Sequence, residues 1–206
     1  KAGTAKQQEL LGRVASGDLL LAFCHTEPGA GYARDYVKTV AARDGGGYVL
    51  SGEKGFALHA TTADQLVVSA RIGSEAGPLG LFLVPRSTAG VTLVPAPALD
   101  GRPGAVVRLA GVKVGADARL GDGEKDQQGG ADAVLDRGAL ATCAEAVGAM
   151  AAVSEITTEY LKTRQQFGQP LSKFQVLQHR LVDMSVSTEE ARAIVHAALQ
   201  ALDDDA

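Results

Sequence analysis

The chain has 206 residues, with 20 Lys and Arg against 24 Asp and Glu, a formal charge of −4. Hydrophobic residues at 46% and charged residues at 21% exclude wholesale disorder, and the mild acidity argues against a duplex nucleic-acid binder, which needs a basic face for phosphates. Two cysteines, Cys24 and Cys143, cannot build a disulfide framework or a metal cluster. No uninterrupted apolar run approaches the ~18 residues of a membrane span and no signal peptide opens the chain. The expectation is a soluble, cytoplasmic protein of a reducing compartment.

In chain order, Thr4–Val14 is a polar, helix-permissive segment whose only apolar face is Leu10, Leu11 and Val14, and it stops at Ser16-Gly17-Asp18. So short a helix is marginal alone. Short extended runs follow, at Leu19–His25, Lys38–Arg43, Tyr48–Leu50, Lys54–Leu58, Gln65–Arg71, Leu79–Val84, Val91–Val94 and Ala105–Leu109. Asp44-Gly45-Gly46-Gly47 predicts a hairpin between the second and third runs. Prolines 85, 95, 97 and 103 fall at run ends, where a missing N–H does least damage. No long helical pattern separates the strands, so the expected architecture is an antiparallel β-sandwich or barrel. A glycine-rich linker, Gly121–Gly130, leads to an alanine-rich helix over Ala131–Thr163, ended by Gly168-Gln169-Pro170. A second helix from about Ser172 carries Leu177, Leu181, Met184, Ala191, Val195, Ala198 and Leu202 on one stripe, as bundle helices do. The fold class is therefore α+β, a β domain followed by an α-helical bundle.

Spacing alone names no catalytic group. Gly29-Ala30-Gly31 starts like a dinucleotide fingerprint, but Arg34 holds the third glycine position and the strand–helix–strand frame is missing. His25, His59, His179 and His196 lack metal-ligand spacing. No Gly-x-Ser-x-Gly or Ser/His/Asp arrangement occurs, and Asp203-Asp204-Asp205 reads as a solvated end.

Three segments are more specific: Cys24-His25-Thr26-Glu27-Pro28-Gly29-Ala30-Gly31; Gly47-Tyr48-Val49-Leu50-Ser51-Gly52-Glu53-Lys54; and Tyr160 to Gln175, containing Arg164-Gln165-Gln166-Phe167-Gly168-Gln169-Pro170-Leu171, followed by His179 to Met184. In this order they resemble the acyl-CoA dehydrogenase family of flavoproteins, over roughly Thr4 to Leu202. The resemblance implies the end of an N-terminal helical domain over residues 1–18, a β domain over 19–120, a linker over 121–130 and the first part of a C-terminal helical bundle over 131–206, incomplete at both ends. It also implies FAD, an acyl-CoA substrate, assembly with a homologous subunit into a homo- or heteromeric dimer or tetramer, and an electron-transfer acceptor. The chemistry implied is removal of the α-proton and β-hydride of an acyl-CoA thioester, with a general base at the α-carbon, the flavin at the β-hydrogen and hydrogen bonds to the thioester carbonyl.

Carried over by position, Phe23, Cys24 and Thr26 would line the flavin edge, with Gly31 in the same turn. Phe56 stands where the family usually has a tryptophan against the flavin. Arg164 would reach the FAD of the neighbouring subunit, where a guanidinium fork suits pyrophosphate oxygens, with Gln166, Phe167 and Gln175 as further contacts. Tyr32 and Asp136 match positions near the substrate. Several residues depart from the family pattern. Tyr32 replaces a small hydroxyl residue, Ala33 the aspartate after it, Leu58 the hydroxyl aimed at the flavin, and Ala139 an arginine. The catalytic glutamate is expected beyond the last residue, and none of Glu145, Glu155, Glu159, Glu189 or Glu190 sits in its motif. These losses fall on the half of the site supplied in cis, so two further readings stand beside an active dehydrogenase: a non-catalytic subunit of a heteromeric member, and a CoA-thioester binding or scaffolding protein.

Overall fold

The computed structural model describes residues 4–121 and 125–204. Residues 122–124, part of the expected linker, and Asp205 lie outside the described residues. The chain divides after Asp132 into two compact units.

The first unit opens with helix α1 (Ala5–Ser16), whose Thr4 and Gln7 form a reciprocal capping box and whose C-terminus closes on Gly17 at φ 79°. The Gln7 amide also donates to the carbonyls of Asp117 and Arg119, 2.9 and 2.8 Å away, which ties this marginal helix to the sheet. Seven strands follow: β1 (Leu21–Cys24), β2 (Val40–Asp44), β3 (Gly47–Leu58), β4 (Gln65–Ile72), β5 (Leu79–Pro85), β6 (Val91–Pro95) and β7 (Gly104–Gly115). Their sheet order is β1-β4-β2-β3-β7-β6, with β5 on the other edge of β4.

The sheet is mainly antiparallel and curled, as the expected antiparallel sandwich or barrel requires, but it includes two parallel pairs. Strands β1 and β2 both pair parallel to β4, at Leu21↔Gln65 and Val40↔Arg71. A parallel pair needs a long crossover, usually a helix, and here the β2–β3 hairpin and its flanking loops supply it. That hairpin turns at Gly45-Gly46, both at positive φ, with Asp44 opposite Gly47 as the sequence predicts. The two separately predicted runs at 48–50 and 54–58 join into one strand, β3, interrupted by register shifts after Leu50 and after Lys54.

One buried cluster draws side chains from every strand, with Leu50, Leu66, Val68, Phe82, Val84, Val107 and Val112 as its largest apolar members, and with Val91 and Leu93 of β6 packed against it. The rings of Tyr48 (β3) and Phe82 (β5) lie 5.0 Å apart. In a flat sheet those strands would be separated by about three spacings, roughly 14 Å, so the sheet curls around this core. A smaller cluster of Val37, Leu79, Leu81 and Ala131 covers the opposite face, joined by Phe23, Val67 and Leu120.

Helix α2 (Gln128–Thr163) starts in the first unit and runs through the second. The hairpin β8 (Gln165–Gln166) and β9 (Gln169–Pro170) and a single 3-10 turn, Leu171–Lys173, then lead into α3 (Gln175–Asp204). Helix α3 runs back beside α2, and Met150, Val153 and Ser154 of α2 share a groove with Arg180, Asp183, Met184, Ser187 and Thr188 of α3. Its inward stripe is Leu177, Leu181, Met184, Thr188, Ala191, Val195, Ala198 and Leu202. The expected stripe lacked only Thr188, whose hydroxyl is satisfied by the Met184 carbonyl at 2.8 Å. By length and composition α2 could cross a membrane, with an 18-residue window of mean hydropathy 1.4, although no uninterrupted apolar run marks it in the sequence. Its alanines and glycines equally suit close helix packing.

Candidate functional site

At the C-terminal end of β1 the chain leaves the sheet through Thr26-Glu27-Pro28-Gly29 and returns as β2. Alternation along β1 sends Ala22 and Cys24 into the core and Phe23 to the other face, where its ring stacks on His25 at 5.4 Å. Cys24 is thus fully buried, and of this residue only the backbone can face a ligand at the β1 end. Burial pushes its thiol up to about 12, against a smaller opposing effect of Lys54. Thr26 is exposed, and its hydroxyl makes no hydrogen bond among the described residues. Its carbonyl accepts from Gly55 N–H at 2.7 Å, which sets the Thr26 backbone beside the residue that precedes Phe56.

Beneath this turn lies a buried polar cluster. Glu27 accepts from Lys38 N–H at 2.7 Å, Thr39 N–H at 3.0 Å, the Thr39 hydroxyl at 2.6 Å and Lys54 Nζ at 2.7 Å. The Lys54 side chain is 0% exposed and that of Glu27 4%. Burial alone would raise the Glu27 carboxyl, but the Lys54 charge and the four donors outweigh it and hold it below the usual range. For Lys54 burial wins, bringing the ammonium down to about 8 despite the Glu27 partner. Lys54 also donates to Ser69 Oγ at 3.0 Å, and Ser69 Oγ lies 3.0 Å from His25 Nδ1. His25 Nε2 is 2.8 Å from the Arg34 carbonyl. A carbonyl only accepts, so Nε2 carries the proton and Nδ1 accepts from Ser69. Burial first, and Lys54 in addition, lowers the His25 pKa against the opposing Arg34 contact.

These bonds pin both ends and the middle of the 27–39 loop. Gly29 and Gly31 take positive φ, 86° and 55°, and nothing lies where a Gly31 side chain would stand. Tyr32, next along, is wholly exposed at 105%. Its ring therefore stands in solvent and does not pack into the loop. Leu58, in place of a hydroxyl residue, is 39% exposed at the end of β3.

Phe56 is 44% exposed and sits at the second register shift of β3. Between Lys54↔Val107 and Ala57↔Ala105, β3 advances three residues while β7 advances two. Gly55 and Phe56 thus form a β-bulge, a device that re-aims side chains beside functional sites.

The other expected contacts lie in the second unit. The β8–β9 hairpin turns through Phe167 at φ 54° and Gly168 at φ 78°, a primed turn with a non-glycine residue at its first position. Phe167 is 90% exposed and meets Phe174 edge-to-face at 6.1 Å. Arg164 precedes the hairpin and is exposed. Among the described residues its guanidinium pairs with neither Glu155 nor Glu159, and Glu159 instead binds Lys162 at 2.7 Å. Gln166 donates to the Gln165 carbonyl at 2.8 Å, Gln175 is the exposed first residue of α3, and Asp136 is exposed on α2. The structure thus sets Phe23, Cys24 and Thr26 at the β1 exit beside the Gly55–Phe56 bulge, leaves Gly31 and Tyr32 further along the 27–39 loop, and groups Arg164, Gln166, Phe167 and Gln175 around one hairpin. Asp136 stands apart from that hairpin, near the start of α2.

Neither spacing nor motif assigns a role to Glu27, Thr39, Lys54 or Ser69, and the carried-over range Phe23 to Thr26 includes His25 only as part of the flavin edge. A signal was available: Lys54 falls in the buried phase of β3 set by Leu50, and a buried lysine requires an anion.

This is a curled mixed sheet with a glycine-rich turn on a buried acid–lysine pair, followed by a helical unit, the two-part arrangement of a dehydrogenase middle and C-terminal domain. The family model described as acyl-CoA dehydrogenase, middle domain, matches residues 22–110, and that described as acyl-CoA dehydrogenase, C-terminal domain, matches residues 130–206. The chain belongs to the acyl-CoA dehydrogenase family. It is 35% identical over 185 residues to benzylmalonyl-CoA dehydrogenase of Aromatoleum aromaticum, covering 88% of this chain and 49% of that protein. Butyryl-CoA dehydrogenase from Megasphaera elsdenii superposes with a TM-score of 0.88 at 30% identity, over 98% of this chain and 55% of that one. Glutaryl-CoA dehydrogenase from Mycobacterium smegmatis in complex with FADH2 superposes at 0.86 with 28% identity, over 96% and 51%. The chain spans about half the length of the relatives it matches.

Proposed function

We propose that this chain is part of an FAD-dependent dehydrogenase that desaturates an acyl-CoA thioester between its α and β carbons, in a cytoplasmic setting and in assembly with a homologous subunit and an electron-transfer acceptor. The observation that carries the reading is the β1 exit: an exposed Thr26 hydroxyl, a positive-φ Gly31 and a half-exposed aromatic ring at a β-bulge, all on a rigid buried support. A planar ring with a polar edge suits this set, because Thr26 offers a donor and acceptor and Phe56 an apolar face. When bound, the flavin supplies the hydride acceptor, and a base elsewhere takes the α-proton, leaving the enoyl thioester. The residues of this chain bind and orient. Thr26 and the backbone of residues 23–26 would hold the flavin's polar edge, and Phe56 would cover its ring. Arg164, with Gln166, Phe167 and Gln175, offers a fork and an aromatic tip to the pyrophosphate side of a flavin held by a neighbour. Tyr32 and Asp136 are assigned to the acyl-CoA.

A second reading is favoured by a specific observation. Tyr32, Ala33 and Leu58 replace polar groups around the β1 exit, whereas the Arg164–Gln175 segment keeps its motif and presents Phe167 to solvent. A non-catalytic subunit of a heteromer, supporting FAD bound mainly by a sister chain, would look like this. Purification of the full protein with and without a homologous partner separates the readings by flavin absorbance and its bleaching by an acyl-CoA. Flavin held and reduced alone supports the active dehydrogenase, and flavin present only with the partner supports the supporting subunit. Acyl-CoA binding with no flavin in either preparation replaces both with a thioester-binding scaffold. In the flavin-containing assembly, Arg164→Ala should lower flavin retention, and unchanged flavin content would remove the trans-contact role.

A further inference from the structure

Phe56 is aimed by two features that its own identity does not explain. The first is the bulge at Gly55–Phe56, which breaks the β3 alternation so that Lys54 and Ala57 both face the core and Phe56 is turned outward between them. The second lies across the sheet. Gly104 opens β7 opposite Leu58, is itself buried, and does not take positive φ, so no backbone conformation calls for glycine here. Space does. A Cβ on residue 104 would stand 2.4 Å from both Cε2 and Cζ of Phe56, and 3.1 Å from the Ala96 carbonyl oxygen. Heavy atoms do not approach that closely, so the Phe56 ring lies on the bare Cα of Gly104 and fills the volume a side chain would occupy. Behind that Cα the strand is held, since Gly104 accepts from Ala96 N–H at 2.9 Å and Pro103 from His59 N–H at 2.7 Å. The backbone cannot retreat, so any side chain at 104 must swing the ring into solvent, where it is already 44% exposed.

We infer that Gly104 is a positioning residue for the cofactor, the floor that seats the Phe56 ring in the orientation that meets the flavin. The inference rests on the assignment of Phe56 to the flavin made above, and it adds the residue that sets the pose of that ring. Alanine is tolerated by the backbone at this point, so Gly104→Ala alters the ring and leaves the strand in place.

The test has two arms on the full protein in its flavin-binding assembly. In the first, the five phenylalanines are labelled with 4-fluorophenylalanine and the Phe56 fluorine signal is assigned by its loss in Phe56→Leu. Gly104→Ala should shift that signal while leaving that of buried Phe82 in place. In the second, FAD affinity is measured by quenching of flavin fluorescence for the wild type, Gly104→Ala, Phe56→Ala and the double variant. Gly104→Ala should weaken binding about tenfold and shift the visible flavin band, whereas in the Phe56→Ala background the same change should cost less than about twofold, because no ring remains to displace. An unmoved Phe56 signal overturns the inference. An equal loss of affinity with and without the Phe56 ring also overturns it, since glycine would then be serving the strand. If the Phe56 signal moves and the wild type binds no FAD in any assembly, the flavin reading fails, and the role of Gly104 toward the cofactor falls with it while its contact with the ring stands.

Discussion

Replacing Lys54 with methionine would test the charge pair on which the β1 exit rests. The ammonium is wholly buried and 2.7 Å from Glu27 Oε1, whose side chain is 4% exposed. Breaking a buried pair by removing one partner costs about 3–5 kcal/mol, because the remaining charge stays buried without a counter-ion. Glu27 would keep the Lys38 and Thr39 amides and the Thr39 hydroxyl, so the expected loss is at the lower end, about 3 kcal/mol. At about 2–4 °C per kcal/mol, that is a fall in melting temperature of roughly 6–12 °C. The pH dependence carries the diagnosis. In the wild type the Glu27 pKa is depressed, so its contribution is present above the ordinary carboxylate value and is lost as pH falls through the depressed one. In Lys54→Met, burial acts without the cation and the folded pKa rises. The contribution then survives only below the ordinary value and is lost as pH rises. The gap between the two proteins should therefore widen from about pH 4 to about pH 7, on either side of the ordinary carboxylate range. Melts followed by circular dichroism at both pH values measure it. A double change, Glu27→Gln with Lys54→Met, leaves no buried charge and should recover most of the loss. A gap of equal size at both pH values, or a double variant no more stable than Lys54→Met, would refute the buried-charge argument.

Two other outcomes follow from the same site. Cys24 is fully buried with its thiol pushed up to about 12, while Cys143 is exposed; of these two, a chromogenic disulfide reagent should reach only Cys143 in the native protein and both after denaturation, and fast native reaction at Cys24 would contradict the placement of β1. Thr26→Val removes a hydroxyl that is exposed and assigned to the flavin edge, so flavin affinity in the assembled protein should fall about fivefold, the value of one neutral hydrogen bond of about 1 kcal/mol. Thr26→Ser should hold flavin as the wild type does, and a loss in Thr26→Ser with none in Thr26→Val would mean that the methyl group, not the hydroxyl, matters.

The local elements were legible because their causes are local. Runs of strand-favouring residues between turn residues placed β1, β2, β4, β5 and β6 to within a few residues, paired glycines placed the β2–β3 hairpin, and the 3.6-residue stripe placed the inner face of α3. The stripe broke only at Thr188, because a buried hydroxyl that bonds back to its own helix behaves as a small core residue. Motifs carried the family and named the residues around the β1 exit and the 164–175 hairpin. They could not show that Cys24 faces inward or that Tyr32 stands clear of the loop, since those outcomes depend on strand phase and on what pins the turn.

By itself, then, the sequence determined the order and kind of the elements, the family, and the residue types at the β1 exit. Tertiary structure decided everything that required two distant segments to meet. Pairing of β1 and β2 with β4 depends on a sheet that curls and on a hairpin serving as the crossover. The Glu27–Lys54 pair joins residues 27 positions apart whose charges are tolerable in the core only together. The seat of Phe56 joins a bulge on β3 to a glycine on β7, residues that neither period nor motif connects. A side chain's type is written locally, but its pose is set by the volume its neighbours leave, and at Phe56 that volume is the missing Cβ of Gly104.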